Sequence, residues 1–541
     1  MMLQYFNLLK INALRKLLFW LIVIVTFSPL LGCNDEQTAI TPNSSDYFEI
    51  QQEYSEPVLD FKIENPIPAK MPMHVVFPRP DTETQTHARH RWAHPQMRYE
   101  IPIGVQGGAW PFKYELLQAP IGAQVGQTLG EHNYGIVTWT PLTNSHQEYT
   151  FKVRVIDQFL DTVELVWQVS VDPNQFVFIQ DGWRGERIGT ISEPLAEFSD
   201  WYKGDRNNSD FHNKIVVFRE GHYDLLGDAN ANNNVRLDAK TKTPSLIGYP
   251  DENAVLNASR AKIFTDTNRL NDVFVGNLRW ISSRQDVNNA HFIWAIGEVS
   301  RATWWNNTFS NHGPGIKGTD NPAGVFVSNT SHHKKYILYK NNVHEKFFNG
   351  IRNGSYVDIY YSSYVLIEQN IARDSDNKCG FWAKGTTSFV TIRANIASHN
   401  IKNGGICIGY GKESPEVPNN HEVAFNRIVF QRGKPTRTTL LFATERSYEG
   451  LTFNSFVYRN SFINGSALLR FLDASTTDIQ ANVVVSDKLD RWPYTPYKED
   501  SRYYNLTGTE IDEITDSLGN LKGEKREIFY GKLGAEIVNV K

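Results

Sequence analysis

A lysine and an arginine on one solvent face could remove a weakly acidic proton beside a carboxylate, and Lys384 and Arg352 are that pair here. The arginine would neutralise the carboxylate, making the neighbouring proton removable, and its charge would depress the lysine so that the free amine acts as base. Aromatic rings beside such cations stack on sugars, while the cations pair with carboxylate or sulfate. Trp382, Trp294 and Phe326 supply the rings, with Glu298 close to Trp294. Tyr360 and Tyr361 lie in a longer segment able to form a groove wall, and His333, with His312, His332 and His344, could supply another base or offset negative charge. Asp374 and Asp376, in the turn before Gly380, could hold Ca2+, although a D-x-D pair also serves plain turn chemistry. Glu298 with Asp374 or Asp376 would be the carboxylate pair of a glycoside hydrolase, with no motif to fix it.

These residues share a face only if short strands position them. In Gly380-Phe381-Trp382-Ala383-Lys384, strand alternation sends Phe381 and Ala383 inward and leaves Trp382 and Lys384 outside. The same register puts Arg352 outside on the preceding coil, Phe326 before it, Trp294 and Glu298 earlier still, and Arg470 near the other end. Large aromatics among cations on an outer face point to a groove for an anionic polysaccharide. The competing reading is that loops cover the face and bury the rings.

The strands belong to a repeat. Apolar segments recur at 292–297, 324–328, 350–354, 380–385, 405–410, 440–445 and 468–473. A second series ends in asparagine, at Asn277, Asn307, Asn342, Asn370, Asn395, Asn426, Asn460 and Asn482. One repeat cannot bury its own apolar face, so repeats must stack, pairing each strand with its counterpart one coil on. Asparagine at the bend can take left-handed dihedrals and hydrogen-bond up the stack. Together with Ile215-Val216-Val217-Phe218 and Ser245-Leu246-Ile247-Gly248, the pattern resembles the right-handed parallel β-helix of pectate lyases and related polysaccharide-active enzymes. The resemblance covers roughly residues 175–485. It implies polysaccharide cleavage, in several cases with Ca2+, and a lysine base on this kind of strand. The chain lacks both the clustered acidic ligands of a calcium-dependent pectate lyase and the Arg-rich signature of alginate and dermatan lyases. The resemblance therefore implies the superfamily and no family within it.

Residues 66–172 alternate with period two between Gly/Pro turns, as in Tyr149, Phe151, Val153 and Val155. The segments Ala119-Pro120-Ile121-Gly122-Ala123 and Gly135-Ile136-Val137-Thr138-Trp139 resemble Ig-like or cadherin-like modules, which usually serve as spacers. At the N-terminus Lys10, Arg15 and Lys16 precede an apolar run over 17–31, too short and broken for a membrane span. Leu30-Leu31-Gly32-Cys33 resembles a lipobox, implying cleavage before Cys33 and its acylation. The polar stretch after it reads as a tether, and Asn34 in second position implies the outer membrane. Cys379 and Cys407 are the other two cysteines. A register offset of three residues puts them roughly 10 Å apart, too far for a bridge, so two separate buried thiols are expected.

The charge balance, 55 Lys+Arg against 59 Asp+Glu, gives no basic excess for nucleic acid, and 13% aromatics exceeds what a plain scaffold needs. The expected architecture is all-β: signal 1–32, tether 33–65, Ig-like β-sandwich 66–172, right-handed parallel β-helix 173–485 and capping segment 486–541. The expected function is a monomeric, lipid-anchored envelope lyase cleaving an anionic, uronate-containing polysaccharide by β-elimination. A glycoside hydrolase and a non-catalytic glycan-binding lipoprotein are the alternatives.

Overall fold

Three long parallel sheets wind around one apolar core. The computed structural model describes residues 47–49, 61–63, 66–80, 88–129, 132–142, 147–202, 211, 213–225, 235–237, 245–259, 263–265, 270–282, 291–296, 299–310, 323–328, 334–345, 355–373, 379–385, 387–398, 405–409, 419–430, 440–443, 454–463, 469–471, 477–486, 502–505 and 538–539. Sheet I has eleven strands, from Phe176–Ile179 to Thr477–Gln480, and sheet II eleven, from Gly221–Asp224 to Arg502–Asn505. Sheet III has nine, from Val235–Leu237 to Leu469–Phe471. The chain visits I, II and III in turn, and every neighbouring pair within them is parallel, as in Val365↔Val390. This is a parallel β-helix.

Period-two alternation builds the interior. Tyr339, Ile367, Ile392, Val423, Val457 and Ile479 form one buried row of sheet I, and Val325, Val357, Phe381 and Ile406 one row of sheet III. The apolar segments expected from sequence match sheet III strands to within a few residues, with one exception. The segment 350–354 lies outside the described residues, and the described strand of its coil is Ser355–Tyr360. Val357 and Ile359 there carry the inward spacing that pairs with Phe381 and Ala383, and the glycine-rich run before them does not.

The asparagine series forms a ladder. In Asn307, Asn342, Asn370, Asn395, Asn426, Asn460 and Asn482, the backbone N–H and Nδ2 of each donate to Oδ1 of the next, as in Asn370 to Asn395 at 3.0 and 2.8 Å. Nδ2 also donates to a carbonyl of the preceding coil, such as Asn370 to Tyr339 at 3.0 Å. All seven are fully buried. The left-handed dihedrals belong to the residue before each one: Asn306, Asn341, Gln369, Ala394, Phe425, Arg459 and Ala481 have φ between 50° and 57°. The ladder side chain must point into the stack, so its predecessor makes the bend. Asn277 is itself the bend residue (φ 56°) and hydrogen-bonds sideways to Glu100 and Asn306 instead.

The N-terminal strands pack along the outside of sheet I. Lys113–Pro120, Glu148–Ile156 and Thr162–Val171 form an antiparallel sheet, extended by Tyr47–Glu49, antiparallel, at one edge and by Trp92–Ala93, parallel, at the other. The expected alternation holds, with Tyr149, Phe151, Val153 and Val155 buried. Their core runs on through Ile101, Val105 and Trp110 into Phe274, Trp305, Leu338 and Leu366 on the outer face of sheet I. This region lies against the β-helix rather than extending away from it as a spacer. One ion network crosses the seam. Lys340, Glu368 and Arg393 occupy one register position on three successive coils, all fully buried. Glu368 pairs with Lys340 at 3.0 Å and Arg393 at 2.7 Å. Strand Gly104–Gln106 pairs only with His74–Phe77, and the carbonyls at Ile103, Val105 and Gly107 accept from Lys340 and Arg393 instead.

Asn395→Ala removes donors and acceptor in mid-ladder and should cost about 3 kcal/mol in a denaturant titration. Arg393→Ala should cost about 3–5 kcal/mol, because it leaves buried Glu368 with Lys340 as its one described cationic partner and takes the donor from the Val105 and Gly107 carbonyls. Burial alone would raise the Glu368 carboxyl, but Lys340 and Arg393 hold it below the ordinary value. Its contribution is therefore present above an unfolded pKa of about 4.3 and lost as pH falls through the folded one. Glu368→Gln should make the acid limb of thermal stability against pH shallower.

Candidate functional site

In sheet III, the register sets Phe264, Trp294, Phe326, Asp358, Trp382, Cys407, Leu441 and Arg470 at one position on successive coils. Trp294, Phe326 and Trp382 thus share the row expected of them, with Arg470 toward the far end. The place expected for Arg352 is taken by Asp358, because the strand of that coil begins later than the sequence pattern suggested. Arg352, Glu298, His333, Asp374, Asp376 and Cys33 lie outside the described residues, as do the side chains of Trp294 and Phe326.

Lys384 is the best-defined member. It ends strand Phe381–Lys384 directly opposite Tyr360, which ends Ser355–Tyr360. Phe381 and Ala383 are in the coil core, so alternation brings Lys384 to the outer face with Trp382. Its Nζ lies 4.5 Å from the ring centroids of both Tyr360 and Trp382 and donates to the Tyr360 hydroxyl. Burial lowers the Lys384 pKa and the Asp358 carboxylate offsets part of that. Burial, with Asp358 adding to it, pushes the Tyr360 phenol far up. The expected neighbour Arg352 is thus not needed to depress the lysine: desolvation against two rings does it. The result is an amine biased toward its neutral, basic form in contact with a phenol that stays protonated.

The turn behind this pair is tightly built. The Tyr361 N–H donates to the Lys384 carbonyl at 3.0 Å, and the rings of Tyr360 and Tyr361 are 5.9 Å apart. Gly385 has φ +75°, and a Cβ there would come within 2.7 Å of the Tyr361 ring. A glycine is therefore required both by its dihedral and by the ring above it.

Trp382 is on the outer side of the coil, as alternation required, but it is only 2% exposed. It packs with Cys379 and Cys407, which form a disulfide with Cα atoms 5.8 Å apart. The three-residue offset is real, since Trp382 pairs with Cys407. However, Cys379 precedes the strand and the chain bends at Gly380, so the separation expected of an extended strand does not apply. Gly380 permits the bend by close approach: a Cβ would sit 2.8 Å from the Gly405 carbonyl. His344, named as a possible base, does not reach the outer face. It is fully buried inside the coil, stacked on Phe309 at 5.0 Å, with Nε2 2.6 Å from the Tyr339 hydroxyl.

Two hollows lie elsewhere. One, of about 310 Å³, is lined by Arg98, Glu100, Tyr249, Asp251, Asn277 and their neighbours, and one of about 640 Å³ lies over Pro68–Met73, Asp157 and Phe159. Neither includes Lys384, which is half-buried between Tyr360 and Trp382. Among the described residues no three His, Cys, Asp or Glu side chains group as a metal site, and no helix is long and apolar enough to cross a membrane. Sequence reasoning missed Asp358 and the disulfide, and it named Tyr360 without its contact to Lys384. The alternation Val357-Asp358-Ile359-Tyr360 was the available signal.

No family model matches this chain, and no curated protein matches it. Among solved structures, pectate lyase Pel9A superposes with a TM-score of 0.33 and 11% identity over 64% of this chain and 89% of that one. The fold assignment rests on the sheet topology and not on that superposition.

Without reductant, denatured protein should yield no free thiol from Cys379 or Cys407 in a thiol titration. Replacing both by serine should cost about 3 kcal/mol, as expected for closing a loop of this length, 28 residues.

Proposed function

We propose that this chain is a polysaccharide lyase that cleaves a uronate-containing polymer by β-elimination, with Lys384 as the base. The observation carrying this reading is Lys384 itself: half-buried against Trp382 and Tyr360, lowered in pKa by burial, and on the outer face of a continuous parallel sheet. A neutral amine can take the proton alpha to a uronate carboxylate, and strands stacked over several coils would give an extended polymer a track past it. Arg352 would pair the substrate carboxylate, and the row through Trp294, Phe326 and Arg470 would line the groove.

Acylation at Cys33 would tether the enzyme to the cell envelope, on the outer membrane, keeping oligosaccharide products near the cell. The Cys379–Cys407 disulfide supports an oxidising compartment outside the cytoplasm.

Incubation with a panel of uronate polysaccharides should raise ultraviolet absorbance as each cleavage leaves a conjugated double bond. Lys384→Ala should lower that rate by roughly 100-fold or more, with substrate binding retained. New reducing ends without absorbance would make the protein a hydrolase, and binding without either product would make it a glycan-binding protein.

A further inference from the structure

Resting on that reading, we infer that Tyr360 is the proton donor to the leaving oxygen, and that the pair Lys384–Tyr360 restricts the enzyme to uronates whose C5 hydrogen and C4 oxygen lie on the same face of the ring. Two facts carry this. Lys384 and Tyr360 stand side by side at one register position on adjacent strands, and Nζ of the first donates to the hydroxyl of the second. Groups that touch each other cannot lie on opposite sides of a sugar ring, so a base and an acid so placed must both act from one face.

The stereochemistry of the sugar does the rest. In a D-glucuronate or D-mannuronate chair, the hydrogen on C5 and the linkage oxygen on C4 point to the same side. In D-galacturonate and L-guluronate they point to opposite sides, and elimination needs base and acid across the ring from each other. The structure therefore selects the glucuronate and mannuronate configurations.

The step closes on these two residues. Neutral Lys384 takes the C5 proton, the C5–H pair becomes the C4=C5 double bond, and the C4–O bond breaks with its electrons on the glycosidic oxygen. That oxygen takes the phenolic proton of Tyr360. The lysine ammonium then returns a proton to the tyrosine oxygen along the hydrogen bond already present, resetting both groups without water or any other reactant. The buried carboxylate of Asp358, two residues before Tyr360 on the same strand, favours the ammonium formed midway and disfavours a phenolate at rest.

The test has two arms. Glucuronate and mannuronate polymers should yield the absorbing double bond, with galacturonate and guluronate polymers at least roughly 100-fold slower. In the second arm, Tyr360→Phe is assayed on its polysaccharide and on a matched uronate carrying fluoride at C4, a leaving group that needs no proton. The variant should lose roughly 100-fold or more on the polysaccharide and only a few-fold on the fluoride. Equal losses on both would reduce Tyr360 to a structural role and overturn the inference. So would elimination from galacturonate or guluronate chains at comparable or greater rates, which would leave the lyase reading standing. A double bond from no polymer, while reducing ends appear, would remove the lyase reading and this inference with it.

Discussion

In a coil too narrow to carry its own sheet, every strand must find its backbone partners in the coils above and below, and that constraint governs the whole chain. The buried asparagine ladder is its sharpest expression. At the corner between sheets I and II the backbone turns, and polar groups that would otherwise be orphaned are taken up by a side chain passing its amide from one coil to the next. Because each asparagine serves both its neighbours, the coils are held in common register. Any residue on sheet III then has a determined counterpart one coil away.

The same need for satisfied backbone explains how the N-terminal strands are attached. An edge with open carbonyls is laid against sheet I, and Lys340 and Arg393 reach out of that sheet to meet it. Two cations buried together demand a carboxylate, and Glu368 between them provides it. Such a network is a poor source of net stability compared with an apolar seam. Its value is positional, since only one alignment of the layer pairs three carbonyls with two cations, while Leu338, Leu366 and Trp305 supply the apolar burial around it.

Register also assembles the candidate site. Lys384 meets Tyr360 because their strands pair in the coil stack, and the disulfide with Trp382 forms a rigid floor beside them. Burial against those rings favours the neutral amine, the form able to accept a proton, more than exposure on a strand would. The tryptophan that looked like a sugar platform acts here as the wall that dries the amine. Its ring is committed to contacts with the disulfide and with Lys384.

What the sequence by itself determined is what local chemistry controls. Alternation at period two placed Phe381 and Ala383 inside and Trp382 and Lys384 outside, and the recurring asparagines marked the corner of nearly every coil. Those readings survive because side chains alternate in any strand, whatever its neighbours do. Tertiary structure decided where each turn released the chain, and so which residue of a coil faced which. A start a few residues later put Asp358 in the row in place of Arg352, and a bend at Gly380 brought Cys379 onto Cys407. The left-handed dihedrals likewise fell on Ala394 or Phe425 rather than on the asparagines, since stacking selects the side chain that must point inward and leaves the bend to its predecessor. Turn paths and layer packing are long-range contacts with no period of their own, which is why only the folded chain fixes them.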